Sequence, residues 1–372
     1  MKFLIVTHTK HKFVDGKWFA YEPYIREMNL WLQYVDSVTI VAPISKETIL
    51  PIEECYVHPK IKLVRIPSFN VLNFGGVVKT LLFSPLIYWK IFVQMAKADH
   101  IHLRCPGNVG LIGTLLQILF PKKKKTAKYA GNWDPNSNQP KTYRMQKDLL
   151  SNTFLTRNMK ALVYGNWPGT TKNIIPFFTA TYYEKDKKAI PKKSFDTSIK
   201  MVFVGGLTPG KRPLIGVQVT QQLKEKGYPV LFDVYGDGPE RSNLEDYIRE
   251  NKLADVVTLH GNVHKDEVRQ AFIDAHFLIF ISKSEGWPKV VAEAMFWKCV
   301  PLSSQVSCIP YMLDYGNRGS IITSEISEIT EEVISYLNNK ERYHKVAQQA
   351  QDWSRNFTMD SFDSEIKKLI HG

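Results

Sequence analysis

Cysteine is scarce: Cys55, Cys105, Cys299 and Cys308 stand far apart in a chain of 372 residues, with no Cys-x-x-Cys pair. Four dispersed thiols indicate neither a disulfide framework nor a zinc site, and they fit a reducing compartment. Long apolar runs are missing too. Residues 77–95 are interrupted by Lys79, Pro85 and Lys90, and residues 109–120 stop short of the ~20 residues that span a bilayer, so no transmembrane helix is expected. The opening MKFLIVTH has one lysine and too short an apolar run for a signal-peptide core; it suits a buried first strand, and a cytoplasmic protein is expected. No convincing internal repeat is found, no low-complexity segment long enough to matter and no Asp-x-Asp motif. The histidines His8, His11, His100 and His102 lack metal-ligand spacing with acids or cysteines. No catalytic metal and no cofactor are expected.

What is present is a chain with 44% hydrophobic residues, long enough for two domains. Short apolar runs alternate with helix-length amphipathic segments, the signal of parallel sheets covered by helices, hence an α/β fold with two facing Rossmann-like doubly wound domains and a cleft between them. KFLIVTH, SVTIVAP, KLVRIP, HIHLRC, TAKYAG and KALVYG are the strands expected in the first half. EPYIREMNLWLQYV reads as a helix with Ile25, Met28, Leu32 and Val35 on one face. Residues 178–198, charged and broken by proline, read as a linker between a domain at 1–177 and one at 199–354, whose strands are IKMVFVGG, VLFDVYG, VVTLHG, HFLIFIS and CVPLSS.

A formal net charge of +13 implies an anionic partner: nucleic acid, a phospholipid surface or phosphorylated small molecules. The run PKKKK at 121–125, after the apolar helix VGLIGTLLQILF, reads as a solvated turn or as a contact with lipid headgroups.

The chemistry concentrates in SEGWPKVVAEAMFWKCVP, residues 284–301. HFLIFIS before it is a buried strand, and KVVAEAMFWK is a helix with Val290, Val291, Ala294 and Met295 inward. Pro288 suits the first helical position, so the amides of Lys289, Val290 and Val291 face outward as an anion site, reinforced by the helix dipole and the Lys289 side chain. Glu285 then sits beside whatever the anion carries, and Glu293, one turn in, can accept hydrogen bonds from vicinal hydroxyls. In isolation, two such acids read as surface carboxylates.

Glu285 and Glu293 stand eight positions apart, with Gly286 and Pro288 between. This is the E-x7-E spacing of retaining glycosyltransferases, and EGWPKVVAEAMFWKCVPLSS resembles the corresponding segment of the family 4 group of GT-B enzymes. VFVGGLTPGKRPL (202–214), VYGDGPERSNLE (234–245) and LHGNV (259–263) are similar to further segments of that family, in its order. The resemblance covers the second half. It implies a metal-independent retaining transfer of sugar from a UDP- or GDP-sugar to a glycan or lipid-linked acceptor, as in polysaccharide biosynthesis, with a final helix about 355–372 returning to the first domain. Lys211 matches the lysine that contacts the donor diphosphate, Glu293 the ribose-binding acid and Glu285 the acid near the donor sugar. Gly286, Trp287, Lys289 and Val290 fall in the phosphate and sugar loop. Gly236, Gly238, Asn262 and Val263 map to turns near the base, where turn chemistry and ligand contact are both open. Gly206 stands where the family often has an arginine; Arg212, beside Lys211, is the candidate to replace it.

In the first half the resemblance gives no residue-level guide. Arg104, Asn132, Trp133 and Asp134, in loops after strands, are the candidates for the acceptor side, with a structural turn open for the last three. A nucleotide-sugar epimerase on the same architecture is the competing enzyme, and a basic nucleic-acid-binding protein the competing non-enzyme, although no zinc finger or RNP segment is present and no specific nucleic acid is expected.

Overall fold

The computed structural model describes residues 1–50, 52–67 and 74–372, without the side chains of 74–84; Lys79 of the interrupted apolar stretch therefore lies outside the described residues. The chain forms two compact units, Met1–Phe177 with Asp363–Gly372, and Phe178–Phe362.

In the first unit, seven parallel strands make one sheet: β1 (Lys2–Val6), β4 (Ser37–Pro43), β6 (Ile61–Ile66), β7 (His100–Cys105), β8 (Lys124–Tyr129), β9 (Met159–Tyr164) and β10 (Ile174–Phe177). β2 (Lys12–Val14), β3 (Lys17–Tyr21) and β5 (Glu53–Cys55) form a separate antiparallel sheet that the sequence pattern did not announce, because strands of three to five residues are too short for a period to register. The large sheet runs β10-β9-β8-β7-β1-β4-β6, so the strand order reverses between β1 and β7. Its core joins Leu4, Val6, Ile101, Leu103, Ala127 and Val163 to Ile87, Ile91 and Met95 of the helix Phe74–Lys97.

The second unit carries β11 (Ile199–Val204), β12 (Val230–Tyr235), β13 (Val257–Gly261), β14 (Phe277–Phe280), β15 (Val300–Ser304) and β16 (Ser320–Ile322), all parallel, in the order β13-β12-β11-β14-β15-β16. This is the classic dinucleotide-fold order, reversing between β11 and β14, and ligands of such sheets bind beyond the carboxyl ends at that point. β14 is buried at every residue, which is why HFLIFIS reads as a continuous apolar run. Gly216 lets the helix Pro213–Glu225 settle on β12, since a Cβ there would stand 2.4 Å from the Phe232 ring.

Residues 178–198, expected as a linker, group with the second unit: Phe178 stacks edge-on to Phe357 and Phe362, and Lys193 donates to the carbonyls of Phe272 and Ala275. The C-terminal stretch is two helices, Lys340–Ser354 and Met359–His371, and residues from Asp363 onward group with the first unit, where Tyr34 donates to Asp363 at 2.7 Å. Among the described residues no helix is long and apolar enough to cross a membrane.

Both units bury neutral histidines. Burial lowers His11 to about 4 and His100 to about 3 in the first, and His276 to about 4 in the second. His276 accepts from the Lys200 amide at 3.0 Å and its other ring nitrogen faces the Ser194 carbonyl at 2.8 Å, a neutral tautomer fixed on both sides. Since an unfolded histidine titrates near 6.5, the unfolded chain binds more protons than the folded one below that pH. Stability is therefore full above about pH 6.5 and falls towards pH 4 by about 1.4 kcal/mol per pH unit for each such histidine. Thermal unfolding followed from pH 7.5 to 5 should show a Tm that is level down to about pH 6.5 and falls below it; a profile that stays flat to pH 5 would contradict this assignment.

Candidate active site

The loops leaving β11 and β14, the two strands at which the order reverses, meet. The Lys283 amide donates to the Gly210 carbonyl at 2.8 Å, and the Lys211 ammonium forms an ion pair with Glu285. Lys211 also lies over the Phe280 ring, 4.9 Å from its centre. Lys211 is 27% exposed and Glu285 10%, so the cation is the more accessible member of the pair. The Lys211 and Arg212 amides donate back to Thr208, forming the turn that precedes the helix Pro213–Glu225.

Beyond Glu285, the helix Lys289–Phe296 begins with Pro288 at its cap rather than at its first helical position. The Val291 amide, expected to be available, instead donates to the Pro288 carbonyl at 3.0 Å, a tight first turn. The amides of Lys289 and Val290 remain at the positive end of the helix, where N–H groups have no intrahelical acceptor. Gly286 is held through its carbonyl, which accepts from Ser307 at 2.9 Å and from the Cys308 thiol at 3.3 Å. Burial pushes that thiol up to about 12, so it is protonated and can donate. Trp287 corrects the expectation of a ligand contact: it is 7% exposed and packs against Trp353 and Phe357, so its backbone, not its ring, belongs to the loop.

Glu293 lies one turn in and half-buried, accepting from Thr181 at 2.6 Å. Thr181 comes from the stretch expected as a linker, and no local pattern marks it. The adjoining Tyr182 packs on Phe296 and Trp297; burial, with the Glu293 carboxylate nearby, holds its hydroxyl in the neutral form.

The glycines of the neighbouring loops separate by role. Gly236 has φ 124° and a Cβ there would fall 2.0 Å from the Gly205 carbonyl oxygen; one at Gly238 would fall 2.5 Å from that of Leu207. Both are needed because two loops touch through their backbones, a structural reason for glycine at these turns. Gly206 is different: a Cβ would meet nothing nearer than 3.8 Å. Arg212 does not fill that space. Its backbone is left-handed (φ 48°), and it lines a separate cavity of about 390 Å³ with Ser282, Lys283, Ser304, Gln305 and Thr323, on the side of β15 and β16. Asn262 is exposed and Val263 partly so, in the loop leaving β13.

The first-half candidates are held by their own unit. Arg104 faces Glu27 at 3.2 Å and the Tyr24 ring, beside Lys128, which reaches the same Glu27 oxygen at 2.7 Å. Asn132 accepts from the Asp134 amide, and Asp134 from the Asn136 amide, consecutive side-chain-to-backbone turns. Trp133 is buried edge-on to Tyr129 at 4.9 Å. All four have partners within their own unit, at the ends of β7 and β8. At the reversal point of this sheet the residues in contact are His8 and Gly107, where a Cβ on the glycine would stand 3.1 Å from the imidazole.

Comparison with known proteins agrees with this geometry. Residues 184–353, within the second unit, match the family model for glycosyl transferases group 1. WcaL of Escherichia coli, assigned as a glycosyltransferase of colanic acid biosynthesis, is 28% identical over 138 residues, 36% of this chain and 34% of its own. The phosphatidylinositol N-acetylglucosaminyltransferase GPI3 subunit of Saccharomyces cerevisiae is 23% identical over 171 residues, 44% of this chain and 37% of its own. The matched stretch thus spans about a third of the length of these curated relatives. Among solved structures, Anabaena Alr3699/HepE in complex with UDP and glucose superposes with a TM-score of 0.68 at 14% identity, over 100% of this chain and 99% of that one. Sucrose-phosphate synthase from Thermosynechococcus elongatus gives 0.65 at 14%, over 99% and 98%. The fold is that of the GT-B glycosyltransferases.

Proposed function

We propose that the protein is a metal-independent retaining glycosyltransferase that moves a sugar from a nucleoside-diphosphate sugar to an acceptor hydroxyl, in the synthesis of a cell-surface glycan or glycolipid. The observation that carries this reading is the Lys211–Glu285 pair at the reversal point of the second sheet, beside the N-terminus of the helix Lys289–Phe296. A diphosphate there would meet a lysine on one side and the Lys289 and Val290 amides on the other, two sources of positive potential that stabilise a leaving group without a metal. In this reading Glu293, which accepts from Thr181, also accepts from ribose hydroxyls. The complexes of HepE with UDP and with UDP-glucose favour a UDP-sugar over a GDP-sugar. In front-side attack the departing phosphate takes the acceptor's proton, and a backbone carbonyl stabilises the oxocarbenium-like transition state, so no dedicated protein base is required.

A thermal-shift screen of nucleotide sugars tests the reading. The correct donor at 100 times its Kd should stabilise the protein by about 2.7 kcal/mol. With that donor, a chelator should leave transfer unchanged; loss of activity restored by magnesium or manganese would overturn metal independence, and no shift with any nucleotide sugar would overturn the donor site.

A further inference from the structure

The lysine run at 121–125 is not the solvated cluster its sequence suggests. Lys123 donates to the carbonyls of Ala96 and Ala98, closing the end of the helix Phe74–Lys97. Lys124 donates to the Ile370 carbonyl at 3.0 Å. Lys125 is buried, donates to Gln117 and Phe120, and is lowered by burial to about 8. Three of the four ammonium groups therefore satisfy backbone carbonyls, the ordinary use of lysine at helix ends.

The cations that do face outward come from elsewhere. A cavity of about 520 Å³ opens among the N-terminal ends of β8, β9 and β10, the edge of the first sheet opposite its carboxyl ends. Lys122, Arg157, Lys160 and Lys172 are its exposed cations, and no aspartate or glutamate lines it. Four like charges gathered without an acidic side chain among them repel one another, which a bound anion would relieve.

Beside this cavity, large apolar side chains are exposed among the described residues. The helix Phe74–Lys97 turns Ile87, Ile91 and Met95 into the core, yet Trp89 on its other face is 63% exposed. Trp89 stacks on Phe92, Phe92 touches Phe120, and Leu119 next to it is 62% exposed. Asn158 donates to the Pro121 carbonyl, tying this surface to the cavity rim, where Arg157 lies over the 69% exposed Phe154. Tryptophan, leucine and phenylalanine tips flanked by lysine and arginine are what a bilayer interface accepts: the rings enter the headgroup boundary and the cations meet anionic phosphates.

We infer that this edge of the first unit, the Lys122–Arg157–Lys160–Lys172 cavity with Trp89, Leu119 and Phe154, is a docking surface for an anionic phospholipid membrane. The inference does not depend on the donor site, and its test reads no sugar transfer. The full chain is sedimented at physiological salt with vesicles of phosphatidylcholine alone or mixed with phosphatidylglycerol; it should bind the mixed vesicles and not the neutral ones. The variant Lys122→Gln/Arg157→Gln/Lys160→Gln/Lys172→Gln should bind the mixed vesicles more weakly by on the order of 10²-fold. Trp89→Ser/Leu119→Ser should lose about 10-fold or more, from lost apolar burial. All the substituted side chains are exposed, so both variants should keep the wild-type Tm. Absence of wild-type binding, or either variant binding like the wild type, overturns the inference. So does inorganic phosphate protecting the cavity as well as vesicles do, which would make it a site for a soluble anion.

Discussion

Lys211→Ala should reduce kcat/KM for sugar transfer by on the order of 10²-fold or more. The ammonium stands in the loop leaving β11, over Phe280 and against Glu285, and is the more accessible member of that pair. In the proposed reaction the diphosphate gains charge as the glycosidic bond breaks, so a lysine facing it stabilises the transition state more than the bound donor. The substitution also strips Glu285, 10% exposed, of its cation, and an unpaired carboxylate in that setting costs stability as well. Lys211→Met separates the two effects, since it keeps the aliphatic stem over Phe280 while removing the charge; combined with Glu285→Gln it leaves no unpaired ion. A Lys211→Met protein with wild-type turnover would remove the catalytic assignment, whatever its Tm.

Glu285→Gln should lower kcat by about 10²-fold while donor binding stays nearly constant. Positive charge develops at the anomeric carbon only in the transition state, and in the proposed reaction Glu285, in the loop before the helix Lys289–Phe296, is the acid beside the transferring sugar. Glu293 offers the contrast. It accepts from Thr181 and would bind ribose hydroxyls alike in ground and transition states, so Glu293→Gln should raise the donor's KM with a smaller change in kcat. Steady-state kinetics of the two variants side by side decide the matter. If both keep wild-type kcat and KM, the carboxylates are structural and the proposed donor site is wrong.

Much of the second unit was legible because its signals are local. HFLIFIS announced β14, proline and glycine marked the turn into the helix Lys289–Phe296, and E-x7-E set the two acids. Position within the turn was read one residue off: Pro288 caps the helix, and Val291 spends its amide on Pro288. The surroundings of the acceptor-side candidates were not legible, for a different reason. Arg104 looks like any loop-proximal arginine until Glu27, 77 residues earlier, is seen to hold it. Asn132 and Asp134 have the composition of a site and of a turn at once, and only their hydrogen bonds tell which.

By itself the sequence determined the alternation of strands and helices, its restart in the second half and, to within one residue, the start of the helix Lys289–Phe296, because periodicity, proline and glycine act over a few residues. The tertiary structure alone decided which distant groups meet. Lys211 reaches Glu285 across 74 residues because the strand order reverses between β11 and β14, bringing their loops together. Adjacent Lys211 and Arg212 part company because Arg212 is left-handed, which sends it to the cavity beside β15 and β16. Three lysines of a basic run turn inward because helix ends nearby leave carbonyls unpaired, a need that no property of the run itself can reveal.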